Sequence, residues 1–223
     1  MELNWLRGIL MIKLPKKIKV GGAVYKVNLG KETENGYVGY HDYHNQIIKV
    51  ATTHTGDDRH NLMILETLLH EVIHAISAIW LEDKLSEKVV TKLSTALFFL
   101  LTQNNLMLRE IKLPKKIKYG GFIYDIVSPP PKEIEMDEDS FFSTTNDAIC
   151  RIYVKYSDSD APFYIKSLFM KTLLKMVMRL HGSFSDEEVE DIYSSCFYQG
   201  LYQVLVDNNI DTLIYNEYNK KVR

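Results

Sequence analysis

Residues 12–25 read IKLPKKIKVGGAVY and residues 111–124 read IKLPKKIKYGGFIY, so eleven of 14 positions recur at a spacing of 99. No other feature constrains the fold as much, because a chain carrying such a repeat must build two like units. The likeness continues more weakly. Residues 66–76 (ETLLHEVIHAI) lie against 171–181 (KTLLKMVMRLH) at a spacing of 105, and residues 97–106 against 201–210 at 104. The drift implies a few inserted residues in the second copy. One insertion is visible as Pro129-Pro130-Pro131 followed by Glu133, Glu135, Asp137, Glu138 and Asp139, which reads as a solvated loop.

Each copy opens the same way. Lys17-Ile18-Lys19-Val20 alternates polar and apolar, Gly21-Gly22 suits a tight turn, and Val24 to Val27 resumes the alternation. That pattern predicts a β-hairpin. Further short strands are expected at 46–50 in the first copy and 149–154 in the second. A helix follows over 61–80, with Asp57 or Asp58 as its cap and Leu62, Leu65, Leu69, Ile73 and Ile76 at core spacing. A second helix is expected from Ser86, a good N-cap, to about Gln103. The second copy keeps an apolar stripe at Leu168, Phe169, Leu173, Val177 and Leu180, and another at Phe197, Leu201, Val204 and Leu205. The expected fold is α+β: two tandem similar domains, each a small antiparallel sheet (hairpin plus short strands) followed by two packed helices. The divisions fall at 1–11 (an extension), 12–110 and 111–223.

The chemistry is concentrated in the first copy. His70-Glu71-Val72-Ile73-His74 is an HExxH motif inside the first predicted helix. Four residues of helix place His70 and His74 one turn apart on one face, where both imidazoles reach a single cation. Glu71 flanks them, positioned as a general base toward metal-bound water. Six of the seven histidines (His41, His44, His54, His60, His70, His74) lie in the first copy, and only His181 lies in the second. At the motif the second copy reads Lys175-Met176-Val177-Met178-Arg179. Cations stand where the ligands were, and a methionine replaces the base, so no such site is expected there.

A catalytic zinc needs a third protein ligand. Glu87, in the first turn of the next helix, is the leading candidate, with Glu82 and Asp83 as alternatives. The competing role for Glu87 is a carboxylate favourably placed at a helix N-terminus. His41, His44, His54 and His60 read as surface or strand residues, His60 being the one near the helix start and so nearest the cleft.

Hairpin, strand, HExxH helix, then a Glu-containing helix ending LxxxLxxN: this order resembles small zinc metallopeptidases encoded by phages and prophages. Those are similar in turn to the ImmA/IrrE and SprT-like groups. The resemblance covers residues 13–105. In the second copy it persists in 112–124 and in Leu201-Tyr202-Gln203-Val204-Leu205 with Asp207-Asn208. It implies a metal-dependent hydrolase with His70 and His74 as zinc ligands, Glu71 as general base and Glu87 as the downstream acid. Thr91 stands where a second acid is expected in many relatives.

Composition bears on partners. Lys plus Arg number 27 against 29 Asp plus Glu, a net charge of -2, so no one-sign field points to nucleic acid or an anionic membrane. The lysines at 13, 16, 17, 19, 112, 115, 116 and 118 therefore read as the solvated face of edge hairpins. Cys150 and Cys196 are isolated and fit a reducing compartment. No signal peptide is read at 1–14 and the longest apolar run, 96–101, is short, so a cytoplasmic protein is expected, in the host cell if phage-encoded. The expected partner is a protein or peptide substrate. The alternative is a non-catalytic binding or inhibitor protein directed at a host factor.

Overall fold

The computed structural model describes residues 12–31, 36–106, 108–109, 112–128, 150–154, 162–181, 184–194 and 196–220. The N-terminal extension at 1–11 and the acidic insertion lie outside them. In the first copy, β1 (Lys17–Val20), β2 (Ala23–Gly30), β3 (Gly39–Asp42) and β4 (Ile47–Ala51) form a sheet in the order β1-β2-β4-β3. A two-residue pair, β5 (Thr53–His54) and β6 (Asp57–Asp58), leads into α1 (Asn61–Trp80) and α2 (Glu87–Gln103). The second copy has β7 (Lys116–Tyr119), β8 (Phe122–Val127) and β9 (Arg151–Tyr153), then α3 (Pro162–His181), α4 (Asp186–Ser194), α5 (Phe197–Asn208) and α6 (Ile210–Asn219). The class is α+β.

Both hairpins form as the alternation requires. Ile18 and Val20 are buried while Lys17 and Lys19 are exposed, and Ile117, Tyr119, Lys116 and Lys118 repeat the pattern. Gly21 and Gly120 take positive φ at the turns, 57° and 59°. The repeat is legible in the strand register itself. Ile18 pairs with Tyr25 as Ile117 pairs with Tyr124, and Lys26 pairs with Ile47 as Asp125 pairs with Arg151.

Four expectations need correction. The sheets are mixed rather than antiparallel, since β2–β4 and β8–β9 run parallel. In the first copy, β3 and β4 form an antiparallel hairpin with β3 outside, which brings β4 back alongside β2 in the same direction. The cap of α1 is His60, whose Nδ1 accepts from the Leu62 N–H at 3.1 Å, and not Asp57 or Asp58. Those two aspartates belong to β6, and the Arg59 N–H bonds the Thr52 carbonyl, so the chain stays extended until His60. Among its described residues the second copy carries four helices where two were expected. Asn209, at φ 54°, breaks α5 from α6. Within α3, Leu168, Phe169, Leu173 and Val177 are buried as expected, but Leu180 is exposed.

The two copies interlock. One apolar core runs through both, with α1 packed on α2, α5 and α6, and α3 packed on α5 and α2. At the end of α2, Asn104 accepts from the Lys118 N–H at 2.7 Å and donates to the Lys118 carbonyl at 2.7 Å. At the end of α5, Asn208 accepts from the Lys19 N–H at 2.8 Å and donates to the Lys19 carbonyl at 2.9 Å. Each asparagine also bonds a carbonyl one turn back, Leu100 and Val204 respectively. Each copy thus uses one amide to close the edge strand of the other, a reciprocal pairing that answers the edge-strand problem from within the chain. Further ties cross between copies at Lys92–Glu188 (3.5 Å) and Asn61–Glu217 (2.8 Å). Asn104→Ala should therefore lower stability by about 2 kcal/mol, because it leaves both Lys118 backbone groups unpaired. Denaturant unfolding measures this, and an effect below about 0.5 kcal/mol would count against the clasp.

By length and composition α1 could cross a membrane, but 56% of its most apolar window is buried inside the protein. That makes it the core helix, and it carries the motif.

Candidate metal centre

Helix α1 turns its apolar stripe (Leu65, Leu68, Leu69, Val72, Ile76) into the core. The opposite flank faces α2 and the outer strand β3. Residues 63, 67, 70, 71 and 74 of α1 line two adjoining grooves there, with Glu87 of α2 and Gly39 of β3 across from them. The turn at 81–86 brings α2 back beside α1, with Glu82 and Asp83 in left-handed conformations (φ 53° and 59°). Leu81 and Leu85 anchor the turn in the core.

This geometry brings His70, His74 and Glu87 together. The two Nε2 atoms are 3.2 Å apart, His70 Nε2 lies 3.0 Å from Glu87 Oε1, and His74 Nε2 lies 3.0 Å from Glu87 Oε2. Among the described residues these three form a group able to hold a metal ion. The spacing fits such an ion. Tetrahedral bonds of about 2.0–2.1 Å require ligand atoms roughly 3.3 Å apart, a few tenths of an ångström from what is present. Both imidazoles are mostly buried (18% and 19% exposed side chains), while the Glu87 side chain is open to solvent at 72%. Burial holds the His70 pKa below its ordinary value, which favours the neutral, ligating ring, although Glu87 opposes the shift. Of the alternative third ligands, Glu82 and Asp83 are exposed and stand outside the group. Asp83 lines the groove on the His74 side.

Residues behind this group support it. Ser94 Oγ donates to the Thr91 carbonyl at 3.0 Å and lies 3.4 Å from His70 Nδ1. In the Nδ1–H tautomer this hydroxyl can accept from the ring, which would leave the His70 Nε2 lone pair for an ion held with Glu87 and His74. Thr91, where an acid was expected, places its hydroxyl 3.5 Å from Glu87 Oε1. Spacing alone could have found both, since 87, 91 and 94 share one face of α2.

Glu71 is buried against Gly39 of β3, and its carboxyl pKa is pushed up to about 8 by burial and then by the charge of Glu87. A methyl group at Gly39 would overlap the Glu71 carboxylate and come within 2.7 Å of Thr67 Cγ2, so any larger residue here must displace the Glu71 side chain or the strand. The unfolded carboxyl titrates near 4.5. The metal-free protein therefore loses stability as pH rises from 4.5 to about 8, and Glu71→Gln escapes that loss. In chelator, Glu71→Gln should exceed the wild type in stability on the order of 3 kcal/mol at pH 9 and match it near pH 4.5. Equal stability at both pH values would contradict the buried placement.

The other histidines separate cleanly. His41, set aside as a strand residue, faces the groove from β3, its ring stacked on His74 at 6.4 Å and 5.2 Å from Tyr25. His60 caps α1 and is exposed, as are His44 and His54. Compared with known protein families, curated proteins and solved structures, the chain matches none.

Proposed function

We propose that the chain is a zinc-dependent hydrolase acting on a peptide or protein substrate. The observation that carries this reading is the triangle of His70, His74 and Glu87 with a buried carboxyl, Glu71, on the adjoining wall. Two imidazoles and one carboxylate are a zinc donor set that leaves a coordination position open. Zinc bound there would supply Lewis-acid chemistry, acidifying water and polarising a carbonyl.

The remaining work falls to the chain's own residues. Glu71 takes a proton from the attacking water at its carboxylate and returns it to the leaving amine nitrogen. Ser94 keeps His70 in the tautomer with Nε2 free, and Thr91 steadies Glu87. A peptide is favoured as substrate because β3 is the outermost strand of its sheet and runs past Glu71 at Gly39. An extended segment laid beside it finds backbone groups to pair with. In the second copy Lys175 and Arg179 replace the ligands, which supports a single centre per chain. Cys150 and Cys196 are not joined in a disulfide, consistent with a reducing compartment, and we place the protein in the cytoplasm.

Zinc-loaded protein should cleave members of a mixed peptide library, stop in chelator and resume on zinc addition. A protein that holds zinc and cleaves no peptide contradicts the hydrolase reading. Glu87→Ala should weaken zinc about tenfold or more, read by competition with a chromogenic chelator.

A further inference from the structure

Arg59, between β6 and α1, is 8% exposed and lines the same groove as Thr67, His70 and Glu71. Its guanidinium donates to the Ala51 carbonyl (2.8 Å), the Met63 carbonyl (3.0 Å) and Thr67 Oγ1 (2.7 Å). All three acceptors are neutral. Among the described residues no carboxylate forms an ion pair with it; Glu66, whose charge reaches it across the groove, accepts instead from Thr95 Oγ1 at 3.0 Å. A guanidinium offers five donors, so Nε and one Nη1 proton are uncommitted. A buried cation whose hydrogen bonds all go to neutral oxygens, offset only by the unbonded charge of Glu66, is costly, and a structural tie between β4 and α1 does not require the charge. The three contacts fix the group rigidly. Thr67 stands one helical turn before Glu71, so the cation sits about one to two turns from the ligand triangle.

We propose that Arg59 receives a carboxylate of the substrate, selecting peptides that carry one within a residue or two of the bond at the metal centre. The inference rests on the hydrolase reading above. An extended chain advances about 3.3 Å per residue, so either an acidic side chain or a C-terminal carboxylate spans this distance. The shared chemistry is a charge-assisted hydrogen bond from Nε–H or the remaining Nη1–H to a carboxylate oxygen.

The test uses three zinc-directed thiol probes with the full-length zinc-loaded chain, by titration calorimetry. They are mercaptoacetyl-Ala-Ala with a free C-terminus, the same compound as its amide, and mercaptoacetyl-Asp-Ala amide. At least one carboxylate-bearing probe should bind the wild type about tenfold or more tighter than the neutral amide, and which one wins identifies the source. In Arg59→Gln that preference should fall below about twofold, with zinc content and affinity for the neutral amide unchanged. Should Arg59→Gln fail to fold, the wild-type ratio alone decides. Wild-type protein that holds zinc and binds all three probes equally overturns this inference and leaves the hydrolase reading standing. Protein that takes up no zinc and binds none of them overturns both.

Discussion

Glu71→Gln is expected to keep its zinc and to lose peptide hydrolysis by about a hundredfold or more, the range for removing a positioned general base. The two effects separate because Glu71 lies outside the ligand triangle, buried on the wall that Gly39 closes. Glutamine keeps the shape and the fit against Gly39 but cannot take up a proton at the carboxyl oxygen. Measuring kcat and zinc content on the same preparation distinguishes the roles. A variant that loses zinc as well would make Glu71 part of the metal shell.

Gly39→Val is the second large effect, and it acts through space rather than chemistry. Gly39 has an ordinary strand conformation, so backbone strain is not the issue. Any Cβ meets the Glu71 carboxylate and Thr67. The carboxyl must rotate out of the wall or β3 must lift from α1, and either misplaces the base relative to the metal. Misplacement by about 1 Å costs on the order of a hundredfold in rate. The expected result is normal zinc content, a fall in kcat comparable to Glu71→Gln, and a partial return in the smaller-shift variant Gly39→Ala. Unchanged turnover in Gly39→Val would show that β3 does not set the position of Glu71.

Much of this site could be read from the sequence because its chemistry lies within one helix and the start of the next. His70, Glu71 and His74 are fixed by helical periodicity alone. Glu87 stood out once a short connection forced α2 back beside α1, although only the turn geometry separates it from Glu82 and Asp83. Gly39, His41 and Arg59 were not legible. They reach the groove through the crossing of β3 over α1 and the clamp at the end of β4, and neither follows from local pattern. The parallel pairing of β2 with β4 escaped for the same reason, since alternation fixes which face is buried but not which strand lies next door. The repeat predicted two like units. It did not foretell that Asn104 and Asn208 would each close the other unit's hairpin, a relation that exists only once the two units are packed together.

The central claim is one metal ion per chain, held by His70, His74 and Glu87. Metal analysis of protein purified without added zinc, then of the same protein titrated with zinc, tests it most directly. Wild type should bind one equivalent, His70→Ala and His74→Ala should bind none at micromolar zinc, and Lys175→Ala with Arg179→Ala should leave the stoichiometry at one. A full equivalent retained in both histidine variants, or lost on changing Lys175 and Arg179, would contradict it.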